Sequence, residues 1–401
     1  MNKNNKVLLA FSGGLDTSFC VQYLKNERNL EVHTALVNTG GFNSEELKAI
    51  EQKALELGVA SHKNIDKIEE FYRKGIRYMI FGNSLRQNTY PLSVSSERIF
   101  QALAIVDCAK EIDAAYIAHG STGAGNDQVR FDLVFQVVAP EIEIITPIRE
   151  LRLSRQEEID YLAKHGYAYN WEKAKYSINQ GLWGTSVGGA ETLLSDGVLP
   201  ESAYPVQAVK QGNEKIVIEF ENGEPVGLNG KKLSPETVIR EIENIAAPYG
   251  IGRDIHIGDT IIGIKGRVGF EAAAALIVIN AHRLLEKHVL TKWQQYWKDQ
   301  IGNWYGMMMH EAQYLEPVMR DMEAFLESSQ KFVTGSVDVC LQPYHFNATG
   351  CRTEHDLMSS KFGEYGEINK AFSGDDVKGF TKILSNQMKI YYAINSTDTI
   401  N

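Results

Sequence analysis

Long apolar runs are missing from this 401-residue sequence. The longest, Ala272 to Ile279, falls far short of the ~20 residues that cross a bilayer. The polar start, Met1 to Lys6, leads straight into a short apolar run without the core of a signal peptide. A soluble, cytoplasmic protein without a membrane partner is expected. Cysteine is scarce. The four residues, Cys20, Cys108, Cys340 and Cys351, form no C-x-x-C pair, which excludes a zinc ribbon and a redox motif. The pattern fits a reducing compartment, and Cys20 and Cys108 read as packed thiols. There is no run of five or more like charges. The net charge of −10 makes nucleic acid a poor partner without a local basic face. Internal repeats and low-complexity tracts are absent. So is G-x-x-x-x-G-K-[ST], which excludes that type of phosphate loop.

What is present is ordinary globular composition, 43% hydrophobic and 23% charged, with enough chain for two or three domains. Val7 to Ala10 is a short apolar run that reads as a buried strand. Phe11-Ser12-Gly13-Gly14-Leu15-Asp16-Thr17-Ser18 follows, then a helix-forming run from Phe19 to Lys25. A strand that turns on two glycines into a helix aims several N–H groups at one spot, a ready anion site. Ser12, Thr17 and Ser18 add hydroxyl donors, and Asp16 adds a carboxylate that could help hold a metal on bound phosphates. For an isolated Gly-Gly, a plain tight turn would be the better reading; the longer pattern favours a phosphate site.

The chain then alternates strand and helix. Glu31–Val37 is β-branched, and Asn43 with Glu46 forms a capping box for a helix that Gly58 stops. A helix is expected over Lys67–Tyr78, then a long irregular stretch, Gly82 to Ser96, then a helix from Glu97 to Ile112. Strands are expected at Ala114–Ala118 and Glu141–Ile148, and Ser154-Arg155-Gln156-Glu157 opens a helix ending at Gly166. This rhythm predicts an α/β doubly wound parallel sheet, with ligands gathered beyond the carboxyl ends of its strands. After about residue 170 the rhythm becomes α+β. A strand is expected at Lys215–Phe220, turns at Asn222-Gly223 and Asn229-Gly230, and a helix opened by Ser234-Pro235. Helices follow over Ala272–His288 and Leu290–Lys331, broken at Pro317, then a strand over Thr334–Pro343. Ser373 caps a last amphipathic helix with Val377, Phe380, Leu384, Met388 and Tyr391 on one face. The expected domains are a nucleotide-binding domain over 1–168, a synthetase domain over 169–372 and a C-terminal helix over 373–401.

A second glycine-rich loop follows the Ala114–Ala118 strand: Ala118-His119-Gly120-Ser121-Thr122-Gly123-Ala124-Gly125-Asn126-Asp127-Gln128-Val129-Arg130-Phe131. The bland reading is a turn whose Asn126 and Asp127 cap the next helix. That leaves Arg130 unexplained. An amide, a carboxylate and a guanidinium so close together suit amino-acid-like substrates held beside a nucleotide.

Ser12 to Ser18 resembles the pyrophosphate loop of the N-type ATP pyrophosphatases, which cleave ATP to AMP and pyrophosphate. Together, the two loops closely resemble the argininosuccinate synthase family. That resemblance implies ATP-dependent ligation of citrulline and L-aspartate, through a citrullyl-adenylate, in arginine biosynthesis. It implies ATP with Mg²⁺ as substrate, and a homotetramer. By the same resemblance, Ala10, Phe11, Ser12, Gly13, Gly14, Leu15, Asp16, Thr17, Ser18, Val37 and Gly120 would contact ATP. Thr122, Asn126 and Asp127 would bind aspartate. Tyr90, Ser95, Asn126, Arg130, Ser177 and Ser186 would bind citrulline, with Gly258 and Phe270 at weaker matches. Lys175-Tyr176-Ser177 belongs to the same match, and Ser177 and Ser186 lie in a glycine-rich stretch (Gly181, Gly184, Gly188, Gly189) that reads as a loop. No side chain stands out as a nucleophile or as a metal site by itself, so catalysis would be positioning by Asp16, Asn126, Asp127 and Arg130. His119 is expected to be structural.

Departures gather around citrulline. The family usually has glutamate at Gly258, tyrosine at Phe270, Leu-Ala at Ser96-Glu97 and commonly aspartate at Asn179. The missing carboxylate would ordinarily pair with the citrulline ammonium. An α-N-acylated citrulline, succinyl or acetyl, is therefore an alternative substrate, with Arg86, Arg98 or Arg267 holding an acyl carboxylate. A tRNA-thiolating relative would need paired cysteines and a basic surface, and an amidotransferase-type relative a glutaminase domain. A non-catalytic nucleotide-binding module is the alternative of another class; Asn126, Asp127 and Arg130 argue against it.

Overall fold

The first half of the chain folds into five parallel strands. They are β1 (Lys6–Ala10), β2 (Glu31–Asn38), β3 (Ser61–Asp66), β4 (Tyr116–His119) and β5 (Glu143–Ile145), in the order β3-β2-β1-β4-β5. The structure is a computed structural model and describes residues 4–123, 125–167, 176–359, 365–366 and 371–395. Along β1, Val7 and Leu9 pack with Phe19, Leu24 and Leu162, while Leu8 packs with Ile105 and Ile117 in a separate cluster. Burial on both faces is why the strand is a continuous apolar run.

The helices of this half are α1 (Leu15–Asn26), α2 (Ser44–Glu56), α3 (Ile68–Phe71), α4 (Arg77–Phe81), α5 (Glu97–Glu111), α6 (Asp127–Val138), α7 (Pro147–Leu151) and α8 (Arg155–Lys164). One wide π-helical turn, Tyr72–Ile76, joins α3 to α4 and carries the expected helix on to Phe81. The Asn43/Glu46 and Ser154/Glu157 capping boxes both form. The strand expected to reach Ile148 ends at Ile145. Pro147, whose ring pre-sets a helical φ, opens α7 instead.

The second half holds two more sheets. β6 (Ser177–Gly181), β7 (Gly184–Gly188), β11 (Arg253–Asp259) and β12 (Lys265–Glu271) lie in the order β11-β12-β7-β6. The glycine-rich segment that the sequence suggests is a loop is therefore a hairpin. Gly184 turns it at φ +128°, where a Cβ would come 2.6 Å from Ala272 and 2.9 Å from Ser93. β8 (Glu214–Glu221), β9 (Glu224–Leu228), β10 (Lys231–Lys232), β13 (Gly335–Gln342) and β14 (His345–Arg352) form the other, in the order β10-β9-β8-β13-β14. α9 (Pro235–Ala246), α10 (Ala273–Val289), α11 (Lys292–His310) and α12 (Val318–Ser329) complete this half.

Met1–Glu354 and His355–Asn401 are two compact units. In the second, the single helix expected from Ser373 is two, α13 (Gly374–Leu384) and α14 (Asn386–Ile394), with Ser373 capping the first. Val377, Phe380, Leu384, Met388 and Tyr391 are exposed. The expected boundary at 168/169 and the matched Lys175 lie outside the described residues.

A buried polar cluster ties α10, α11 and α12 to the end of α4. Lys298 is 1% exposed, donates to the Phe81 carbonyl at 3.0 Å and pairs with Glu286 at 2.8 Å. Glu286 also accepts from Asn83 at 2.6 Å and Gln330 at 2.8 Å, and His282 lies between those two amides. Removing one partner of such a pair leaves an uncompensated buried charge. Lys298→Met is expected to lower unfolding stability by about 3–5 kcal/mol, read from the denaturant midpoint.

Candidate active site

The strand order reverses between β1 and β4, and a crevice opens where the two chains leave in opposite directions. Ala10 and His119 are register partners at the last step of that pairing. Both glycine-rich loops therefore start side by side. A Cβ on Gly120 would fall 3.1 Å from Thr17 Cγ2 and 3.5 Å from the Thr17 nitrogen, so the loops touch.

The first loop is held from several directions. Gly13 takes φ +76°, a conformation that suits glycine, and packs on Ile50 of α2. Lys53 of the same helix donates to the Gly13 carbonyl at 2.6 Å. Ser18 is fully buried and donates to the Gly14 carbonyl at 2.7 Å, so its hydroxyl braces the loop rather than facing outward. Thr17 makes a longer bond, 3.3 Å, to the same carbonyl and lies 3.4 Å from the Ser12 hydroxyl. Ser12 is exposed. Phe11 and Leu15 point into the core, which leaves their backbone for a ligand. Asp16 stands in the first turn of α1, where the helix dipole favours a carboxylate. Behind it Glu158, only 4% exposed, has an Oε2 with no hydrogen-bond donor among the described residues. Burial and the neighbouring Asp16 carboxylate push Glu158 up to about 8, so Glu158 is mostly protonated near neutrality.

Val37 is the next-to-last residue of β2. The turn after β2 docks on the β6–β7 hairpin. Leu182 N–H donates to the Thr39 carbonyl at 3.1 Å, and a Cβ on Gly41 would collide with the Gln180 carbonyl at 1.9 Å. Glu97 locks this junction. It is 1% exposed and accepts from Thr39 and from Arg98, each at 2.8 Å. A Cβ on Gly181 would fall 2.2 Å from its Oε2. Burial pushes this carboxyl up to about 7 against the pull of Arg98.

The second loop corrects the bland reading. The Asn126 side chain makes no cap bond to α6. Its carbonyl oxygen instead accepts from Ile261 N–H at 2.9 Å, reaching the turn between β11 and β12. Asp127 is forked between Arg130 at 2.7 Å and Arg98 at 3.0 Å. Burial alone would raise its pKa, but the two guanidiniums prevail and hold it at about 2. Arg130, 5% exposed, also donates to the His310 carbonyl at 2.9 Å. Thr122 is exposed on the loop. His119 is structural as expected: its Nε2 meets Asp132 at 2.9 Å and its Nδ1 accepts from Ser121 N–H.

The predicted citrulline residues converge as well. Ser95 lies 3.2 Å from His310 Nδ1. The Tyr90 ring sits against Phe270, 5.3 Å between centroids, and stacks on His256 at 5.1 Å. Ser186 pairs in register with both Phe270 and Asn179. Ser177 is two residues from Asn179, so Ser177, Asn179, Ser186 and Phe270 share one sheet face. Arg98 reaches Asn179 at 3.3 Å. Gly258 is buried on β11, and a Cβ there would fall 2.6 Å from His256 Nε2. Burial and nearby Arg86 push His256 down to about 4. Burial, then Arg130 and Arg86, push His310 to about 2. Both rings are neutral in the working range. Of the guanidiniums suggested for an acyl group, Arg98 is spent on Asp127 and Glu97, and Arg267 on the carbonyls of Glu191 and Gly197.

Sequence reasoning missed His256, His310, Lys53 and Glu158. A histidine inside a strand or at a helix end carries no local signal. Lys53 and Glu158 belong to ordinary helix surfaces until α2 and α8 are docked on the loop. Among the described residues, no group of three or more His, Cys, Asp or Glu is placed to hold a metal. No helix is long and apolar enough to cross a membrane.

Residues 6–168 match the family model described as the Arginosuccinate synthase N-terminal HUP domain, and residues 176–391 match the Arginosuccinate synthase C-terminal domain. A protein of Methanocaldococcus jannaschii named argininosuccinate synthase is 37% identical over 387 residues, 96% of this chain and 97% of the relative. Its namesake from Dictyoglomus thermophilum is 36% identical over 394 residues, 97% and 98% of the two chains. That from Pyrococcus furiosus is 35% identical over 405 residues, 98% and 97%. Two touching glycine-rich loops at a strand-order reversal, with both family models covering nearly the whole chain, lead to one conclusion: the chain belongs to the argininosuccinate synthase family.

Proposed function

We propose that this site activates the ureido group of citrulline with ATP and captures it with L-aspartate. The observation that carries the reading is the contact of Gly120 with Thr17, which sets the phosphate loop beside the amino-acid loop. The ureido oxygen attacks the α-phosphorus, and pyrophosphate departs toward Ser12–Ser18. The resulting adenylate makes the ureido carbon electrophilic. The aspartate amine attacks that carbon, loses its proton and expels AMP. ATP enters as its Mg²⁺ complex, against the backbone from Ala10 to Ser18, Val37 and Gly120. Thr122, Asn126 and Asp127 seat aspartate. Tyr90, Ser95, Asn126, Arg130, Ser177 and Ser186 surround citrulline, with Phe270 as an apolar wall. Positioning of this kind can supply about 7–11 kcal/mol.

We read the protein as a cytoplasmic homotetramer. The exposed Trp293, Tyr296, Trp297 and Trp304 on α11, and the apolar residues of α13 and α14, support an assembly. Light scattering that gives a monomer mass would contradict it.

Purified protein given MgATP, citrulline and aspartate is expected to release AMP and pyrophosphate in step with argininosuccinate. Release with N-succinyl- or N-acetylcitrulline but not with citrulline would transfer the assignment to the acylated substrate. No release with any of them would favour a non-catalytic module. Asp127→Asn leaves Arg98 and Arg130 facing a neutral amide. It should lower kcat/KM for aspartate by about 10-fold, the cost of losing a charged hydrogen-bond acceptor on a side chain still 39% exposed.

A pH dependence follows from Asp16 and Glu158. Below about 8 Glu158 is protonated and neutral; above it, it adds a negative charge behind the phosphate loop. That charge opposes bound phosphates, so KM for ATP should climb as pH rises through that value. Glu158→Gln keeps a donor toward Asp16 and adds no charge, so its ATP KM should stay flat over the same range.

A further inference from the structure

Arg86 is a guanidinium of this site to which no carboxylate is bonded among the described residues. It lies in the segment between α4 and α5, where Asn83, Gln87, Asn88 and Leu92 all have positive φ, from 47° to 65°. Non-glycine residues hold such conformations only where their surroundings enforce them. The result is a tight bridge. Arg86 N–H donates to the Tyr90 carbonyl at 2.8 Å, and Tyr90 N–H returns to the Arg86 carbonyl at 3.1 Å. Arg86 is thereby fixed beside the ring that packs on Phe270 and His256.

Its donors are only partly used. Nη2 donates to the Asp259 carbonyl at 3.0 Å, while Nε is buried with no hydrogen-bond partner among the described residues. Arg130 and Arg98 both bond to Asp127, but no carboxylate bonds to Arg86 among the described residues. The nearby Asp259 carboxylate is taken by Lys265 at 2.6 Å. Around Arg86 stand Arg130, the neutral rings of His256 and His310, and the Glu311 carboxylate, which is near enough to be felt but does not bond to it. At Gly258 the space for a side chain is closed by His256 Nε2. This end of the pocket thus offers a forked donor to which no carboxylate is bonded among the described residues, which is the complement of a carboxylate.

Building on the reaction proposed above, we propose that Arg86 is a specificity-determining residue that holds the α-carboxylate of the ureido substrate. Its contact with the Tyr90 segment places it on the citrulline side of the site. Neither Arg98 nor Arg130 has equivalent freedom to do this.

The test is calorimetric binding and steady-state kinetics on Arg86→Gln and Arg86→Lys, using citrulline and its α-carboxamide. Arg86→Gln should weaken citrulline about 10- to 100-fold, the range for a charge-assisted hydrogen bond, and leave the KM for ATP and aspartate within about three-fold. The wild-type preference for citrulline over the α-carboxamide should largely vanish in Arg86→Gln and partly return in Arg86→Lys. An equal loss for both ligands, or a loss falling on aspartate instead, would overturn the assignment. So would citrulline binding that Arg86→Gln leaves unchanged. If the wild-type protein makes no AMP with citrulline and aspartate, the reaction itself is wrong and this role falls with it. Unchanged thermal midpoints in the variants separate a binding loss from a folding loss.

Discussion

The parallel pairing of β1 with β4 is the constraint on which the rest depends. It fixes Ala10 opposite His119, and both chains then leave the sheet at the same edge. Everything chemical starts within a few residues of that step. Ordinary sheet hydrogen bonding thus performs what would otherwise require a dedicated contact between two remote loops. The loops need only small residues at the join, which Gly120 supplies against Thr17.

The second half of the chain acts as a wall for this edge. The β6–β7 hairpin sits on the turn after β2, and the β11–β12 turn reaches Asn126. Arg98 connects the wall to the second loop by touching both Asn179 and Asp127. Glu97 and Arg98 are neighbours in sequence, yet one faces the β2 turn and the other the second loop. A single helical start therefore ties nucleotide side to amino-acid side. Such coupling by short polar links suits chemistry in which geometry does most of the work.

Much of this was legible in the residues. The alternation of strands and helices, the two capping boxes and the glycine-rich strand ends are local patterns, and each follows from backbone chemistry over a few residues. The convergence of Tyr90, Ser95, Ser186 and Phe270 was legible only through family resemblance, because it is made by sheet register and by α11, not by spacing. Asn126 shows the limit in the other direction: its sequence context reads as a helix cap, and tertiary contact with Ile261 wins. The hairpin at Ser177–Gly188 was hidden for a similar reason. Glycines that suggest a loop are there because neighbouring side chains and backbone approach too closely for anything larger.

Gly258 also bears on how this pocket can change over generations. His256 occupies the volume that a Cβ at 258 would need. Any larger residue at 258 must wait until the imidazole has moved or been replaced. The imidazole in turn is stacked on Tyr90, whose segment carries Arg86. A mutational route to an acidic residue here therefore has a fixed order of steps, with the strand neighbour yielding first. Swapping one residue between this chain and a relative should fail where swapping the whole β11 segment together with the Arg86–Tyr90 bridge succeeds.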